Sequence, residues 1–125
     1  MRQVLIVDDD ADIREVARLS LELFGDWTVL VAESGIDGIE QAKLRSPDVI
    51  LLDMMMPGID GLETLRRFNA EQSTSHIPVI FLTAMAQTGE RQRLEATCAR
   101  GLIAKPFDPL TLGNSIEAIL TATPH

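Results

Sequence analysis

The 125-residue chain predicts an α/β domain, a parallel sheet with crossover helices packed against it. Apolar runs of strand length recur at 3–8, 27–32, 48–53, 77–83 and 101–104, and the segments between them carry helical spacing of apolar residues. Polar side chains close four of these runs. Asp8 and Asp9 follow Val4-Leu5-Ile6-Val7, Asp53 follows Val49-Ile50-Leu51-Leu52, Thr83 follows Val79-Ile80-Phe81-Leu82, and Lys105 follows Leu102-Ile103-Ala104. In a parallel sheet these groups gather at one edge, the edge at which open α/β sheets bind their ligands.

The elements follow in order. After the first strand, a helix is expected from Asp10 to Phe24 with Ile13, Val16, Ala17 and Phe24 inward. Of the three acids, Asp10 is the one placed to cap that helix. The run from Trp27 to Ala32 includes Thr28 and suits a sheet edge, whereas 48–53 and 77–83 are almost wholly apolar, as central strands covered on both faces must be. Ser34-Gly35-Ile36-Asp37 has the form of a capping box and opens the second helix. Asp108-Pro109 reads as the N-cap and first residue of the last helix, whose inner face is Leu112, Ile116, Ile119 and Leu120. Five βα units fill the length, and the final Thr121-Ala122-Thr123-Pro124-His125 is expected to fray.

This length suits one domain, residues 1–125, with one core and one main site. The net charge of -8, with scattered Lys and Arg, argues against direct binding to nucleic acid or to an anionic membrane surface. No stretch approaches the roughly 20 apolar residues that span a bilayer. Cys98 is the one cysteine and can form no internal disulfide, and Met1-Arg2-Gln3 opens no long apolar segment of the signal-peptide kind. A cytoplasmic setting is the expectation. Neither internal repeats nor low-complexity tracts interrupt the chain.

Two adjacent acids facing a third form a pocket that needs a proton or a cation to neutralise it. Mg²⁺, with Mn²⁺ able to take its place, suits such a site because it prefers oxygen ligands and commonly shares them with a phosphate. An Asp beside that metal can attack phosphorus, which makes Asp53 the candidate nucleophile. Lys105, one of two lysines, can pair with a phosphoryl oxygen, and Thr83 can donate to another. Met54, Met55 and Met56 suit packing and loop positions, since thioethers favour soft metals. Cys98, His76 and His125 have no ligand cluster around them in the sequence and receive no role.

Val4-Leu5-Ile6-Val7-Asp8-Asp9-Asp10, Leu51-Leu52-Asp53-Met54-Met55-Met56-Pro57-Gly58-Ile59-Asp60-Gly61, Leu82-Thr83-Ala84 and Ala104-Lys105-Pro106-Phe107 together resemble the receiver domain of two-component response regulators. The resemblance covers essentially the whole chain. It implies a flavodoxin-like (βα)5 fold, a five-stranded parallel sheet of order 2-1-3-4-5 with helices on both faces. It also implies that Asp53 accepts phosphate from a phosphohistidine of a sensor histidine kinase or a histidine phosphotransferase. Asp9, Asp53 and the backbone carbonyl of Met55 then hold Mg²⁺, with Asp8 helping through water. Thr83 and Lys105, with Ala84 beside them, bind the phosphoryl group, and the Lys105–Pro106 peptide is cis.

The same resemblance places a switch on the face built from the fourth helix, fifth strand and fifth helix, read by an unidentified downstream protein. Leu102 stands where the family carries an aromatic residue, and the chain has no Tyr. Met55 and Met85 are apolar where polar residues can orient hydrolytic water, so a long-lived phosphoryl group is expected. Within the same family, the alternative to a free-standing regulator is a receiver module excised from a hybrid kinase or longer regulator. A phosphatase of the haloacid dehalogenase type, with Asp8 as nucleophile, is the alternative from another class, but it leaves the Met-Pro-Gly loop unexplained. A calcium loop starting at Asp8 fails because Ile13 and Leu19 occupy the positions that need Gly and Glu. FMN binding fails because an acidic segment follows the first strand in place of a phosphate-cradling loop.

Overall fold

The computed structural model describes residues 2–84 and 99–122, and among these described residues there are five strands and four helices. The elements run β1 (Arg2–Val7), α1 (Ala11–Phe24), β2 (Trp27–Ala32), α2 (Gly35–Arg45), β3 (Val49–Asp53), α3 (Gly61–Ala70), β4 (Val79–Thr83), β5 (Gly101–Ala104) and α4 (Leu112–Thr121). The helix expected between β4 and β5 lies outside the described residues, as do Met85 and Cys98. All strand pairs are parallel, in the order β2-β1-β3-β4-β5, so the expected flavodoxin-like sheet is the observed one.

Every residue of β3 and β4 is buried, consistent with near-continuous apolar sequence under helices on both faces. β2 lies at the edge, with Thr28 and Val31 exposed. Because side chains alternate along a strand, the sheet feeds two cores. Leu5, Val7, Ile50, Leu52 and Phe81 pack with Phe68 of α3 and Ile39 of α2 on one face. Val4, Ile6, Leu51 and Ile80 pack with Leu21 of α1 and Ile116 of α4 on the other. Each such side chain contributes about 1.5–3 kcal/mol through burial. At the start of β2, Trp27 is buried and paired in register with Arg2, whose guanidinium lies 4.4 Å from the centre of the indole ring.

Ser34 caps α2 as expected, accepting from the Asp37 N–H at 3.1 Å. Three expectations need correction. In α1 the buried stripe is Ala17, Ser20 and Leu21, with Ile13 half-buried, whereas Val16 and Phe24 are exposed. Val16 sits about 100° around the helix from Ala17, and Phe24 closes the helix where the chain turns through Gly25 toward β2. The buried Ser20 hydroxyl donates to the Pro109 carbonyl, tying α1 to the segment before α4. That segment is the second correction: α4 begins at Leu112, with Thr111 as its cap, and not at Asp108-Pro109. The Asp108 carboxylate accepts from the Leu110 N–H at 2.9 Å, a local turn that competes with helix initiation. The inner face of α4 is the expected one, with Leu112 and Ile116 buried and Ile119 and Leu120 packed beside them. Thr121 remains helical where fraying was expected, and 123–125 lie outside the described residues.

Candidate functional site

Register explains how residues far apart in sequence meet. β1 and β3 are neighbours with Val7 opposite Leu52, so Asp8 and Asp53 are the next residues along two adjacent strands. The Asp8 N–H extends the ladder to the Ala32 carbonyl at 3.1 Å, and the Met54 N–H extends it from β3 to the Leu82 carbonyl at 3.1 Å. One strand over, Thr83 pairs with Ala104, and the Lys105 N–H donates to the Thr83 carbonyl at 2.8 Å. Asp8, Asp53, Thr83 and Lys105 therefore stand along the carboxyl edge of β1, β3, β4 and β5. Asp8 is fully buried and Asp53 and Thr83 nearly so, while Asp9 is exposed.

Lys105 reaches back across the edge. Its Nζ lies 2.8 Å from Asp8 Oδ2 and donates to Asp53 Oδ1 at 3.2 Å. Asp53 Oδ1 also accepts from the Met55 N–H at 3.2 Å, and Asp8 Oδ1 accepts from the Asp10 N–H at 2.9 Å. Burial, and then the charge of Asp8, push the Asp53 carboxyl up to about 6, against the opposing pull of Lys105. Burial lowers the Lys105 pKa, but the close ionic contact with Asp8, then the charge and hydrogen bond of Asp53, outweigh it and leave the pKa raised.

Oxygens of Asp8, Asp9 and Asp53, one from each, all lie within 4.8 Å of one another. Asp8 Oδ2 touches the ammonium at ion-pair distance without hydrogen-bond geometry, so a fully buried anionic oxygen lacks a directed donor. Three carboxylates against one ammonium, one of them with a buried oxygen that lacks a directed donor, fit a hard divalent cation. The donor set is all oxygen, as Mg²⁺ or Mn²⁺ requires.

The remaining sequence candidates are placed as follows in the fold. Met55 stands two residues after Asp53 and is 67% exposed, between Met54 and Met56, which are buried in the core on the α2 and α3 side. Ala84 is exposed immediately after Thr83. Leu102 is not at the acidic edge: it is half-buried on β5 opposite Phe81 and packs against the same core as Met54. The Lys105–Pro106 peptide is cis. Asp10 caps α1, accepting from the Asp12 and Ile13 N–H groups at 2.9 and 3.3 Å, and is thereby engaged elsewhere. His76 is exposed and stands outside the cluster.

Two supports were not singled out from sequence. A Cβ on Gly61 would lie 2.5 Å from the Asp53 carbonyl oxygen and 2.7 Å from Met54 Cα, so only glycine lets α3 start this close to the end of β3. The Gly61 N–H donates to the Met54 carbonyl at 3.0 Å, closing the loop that carries Met55. Arg14 donates to the Asp8 carbonyl at 2.8 Å and braces the first acid from α1. The Asp60-Gly61 pair was the available signal, an N-cap acid before a glycine.

Residues 4–117 match the family described as the response regulator receiver domain. The chain is 38% identical over 122 residues to the phosphate regulon transcriptional regulatory protein PhoB of Pseudomonas aeruginosa, covering 98% of this chain and 53% of that protein. It thus spans about half the length of that regulator. With Protein PilH of the same organism it shares 38% identity over 120 residues, covering 96% of this chain and 98% of that protein. The high-resolution structure of the chemotaxis response regulator CheY4 of Vibrio cholerae superposes with a TM-score of 0.87 at 29% identity, over 95% of this chain and 98% of that one.

Proposed function

The chain belongs to the response regulator receiver domain family, and from that premise we propose that it is a Mg²⁺-dependent phosphoacceptor whose nucleophile is Asp53. The carboxylate oxygen attacks phosphorus of a phosphohistidine on a sensor histidine kinase or histidine phosphotransferase. The O–P bond forms, the P–N bond breaks, and the imidazole nitrogen leaves with the bonding pair and takes up a proton. Asp9, Asp53 and the Met55 carbonyl would hold the cation, with Asp8 acting through water. When bound, the cation screens the repulsion between carboxylate and phosphoryl oxygens. Thr83 and Lys105 donate to the transferred group, and exposed Ala84 leaves the approach open. The observation that carries this reading is the convergence of Lys105 on both Asp8 and Asp53 at one sheet edge, beside the Thr83 position.

The phosphoryl group is expected to be long-lived, because Met55 and Met85 offer no polar atom to orient water. The signal would pass to a downstream protein through the face that includes Leu102 on β5, whose aliphatic side chain must report by repacking against Phe81. The partners are proteins, with no direct contact to nucleic acid or membrane. Among the described residues no helix is long and apolar enough to cross a membrane.

The test is intact mass after incubation with acetyl phosphate, with and without Mg²⁺, for wild type and Asp53→Asn. A Mg²⁺-dependent gain of one phosphoryl group that the substitution abolishes is the expected result. A gain that survives in Asp53→Asn would move the nucleophile to Asp8.

A further inference from the structure

We propose that Arg14 is a positioning residue for the cation site: it fixes the peptide that joins Asp8 to Asp9, and through that peptide it holds both acids in place for a divalent ion. This rests on the metal reading above. Arg14 Nη1 donates to the Asp8 carbonyl at 2.8 Å. That carbonyl and the Asp9 N–H belong to one planar unit, so a bond to the oxygen sets ψ of Asp8 and φ of Asp9 together. The other groups of Asp8 have their own anchors, its N–H on the Ala32 carbonyl at 3.1 Å and its Oδ1 under the Asp10 N–H at 2.9 Å. Asp9 is exposed, and among the described residues no hydrogen bond or ion pair reaches it. Its direction over the sheet edge therefore depends on its backbone, and the Arg14 bond is what steadies the peptide before it.

The partner of this guanidinium is unusual for the chain. Arg18 pairs with Glu15 and Glu22, and Arg66 and Arg67 pair with Glu63. Arg14 has Asp9, Asp10 and Glu15 close in sequence, yet it donates to a main-chain oxygen and forms no ion pair among the described residues. Its own N–H donates to the Asp10 carbonyl at 3.1 Å, and the Asp10 carboxylate caps the same turn, so the donor projects from a well-anchored start of α1. Charge works against the role. A guanidinium beside the carboxylates repels a dication, so its charge alone weakens binding. Geometry and charge thus predict opposite signs for the removal of Arg14.

Mn²⁺ binding, read from the paramagnetic resonance signal of the free ion at about pH 7.5, where the carboxylates are ionised, tests this. Arg14→Met keeps an apolar stem but loses donor and charge, and should bind Mn²⁺ about tenfold more weakly than wild type. Arg14→Lys, which keeps a cationic donor, should recover most of that loss. Leu21→Ala loosens α1 through its core face with Arg14 in place, and should bind as wild type does. Affinity in Arg14→Met equal to or tighter than wild type overturns the proposal and leaves the metal reading intact. An equal loss in Leu21→Ala assigns the effect to the helix as a whole and also overturns it. Absence of Mn²⁺ binding in wild type overturns the metal reading and the proposal together.

A second arm needs no metal. Amide nitrogen relaxation measured in chelator should show the Asp9 N–H more mobile in Arg14→Met than in wild type, with Val7 on β1 unchanged. Equal mobility of Asp9 in the two proteins overturns the bracing.

Discussion

Asp53 sits where its charge is least welcome, buried beside Asp8 and relieved in part by one ammonium. Its carboxyl is raised to about 6 from an ordinary 3.8. The stability contributed by its protonated form is therefore fully present below the unfolded value and lost as pH rises through about 6. Metal-free protein should thus be weakened by this group between about pH 4 and pH 6. Asp53→Asn in chelator should be more stable than wild type by on the order of 1–3 kcal/mol at about pH 7.5, with the difference closing toward about pH 4. Urea unfolding at the two pH values measures it, and an equal difference at both would show that the carboxyl is not held high. Position along the chain was enough to select this residue, because it closes an apolar run. Its perturbed environment was not legible, since it depends on Asp8 and Lys105 arriving from other strands.

Strands were the most legible elements, because uninterrupted apolar runs admit few alternatives once helices lie between them. Helix faces were less so. Phe24 has the right angle for the core but closes its helix, and Val16 lies off the stripe centred on Ala17, Ser20 and Leu21. The correction has a measurable form: Leu21→Ala should cost about 2–5 kcal/mol, while Phe24→Ser should stay within about 0.5 kcal/mol. A comparable loss at both positions would restore Phe24 to the core. Asp108-Pro109 misled for a different reason, since an Asp side chain serves a turn as readily as a helix cap. At the opposite extreme Ser34 caps α2 through one bond to Asp37, and Ser34→Ala should lower stability by about 1 kcal/mol in thermal unfolding.

Two cores share one sheet, and the acidic cluster stands on the rim where both end. Ligation there should act on the whole fold by mass action: Mg²⁺ at about one hundred times its dissociation constant should stabilise wild type by about 2.7 kcal/mol and Asp53→Asn by clearly less. Calorimetric unfolding in increasing Mg²⁺ reads this, and identical shifts in both proteins would remove Asp53 from the ligand set. Residue types at the strand ends made the site legible as a group, while the bracing by Gly61 and Arg14 depends on backbone approach that sequence spacing does not display. At the far end of the sheet, Trp27 is the single indole of a chain without tyrosine, buried under the Arg2 guanidinium. Six strand residues, about 20 Å, separate its level from that of Asp8. Intrinsic emission is therefore a clean optical gauge of global unfolding and nearly blind to what occupies the rim. Any change in its colour or intensity on adding phosphodonor would be a signal carried through the sheet, not a local quench.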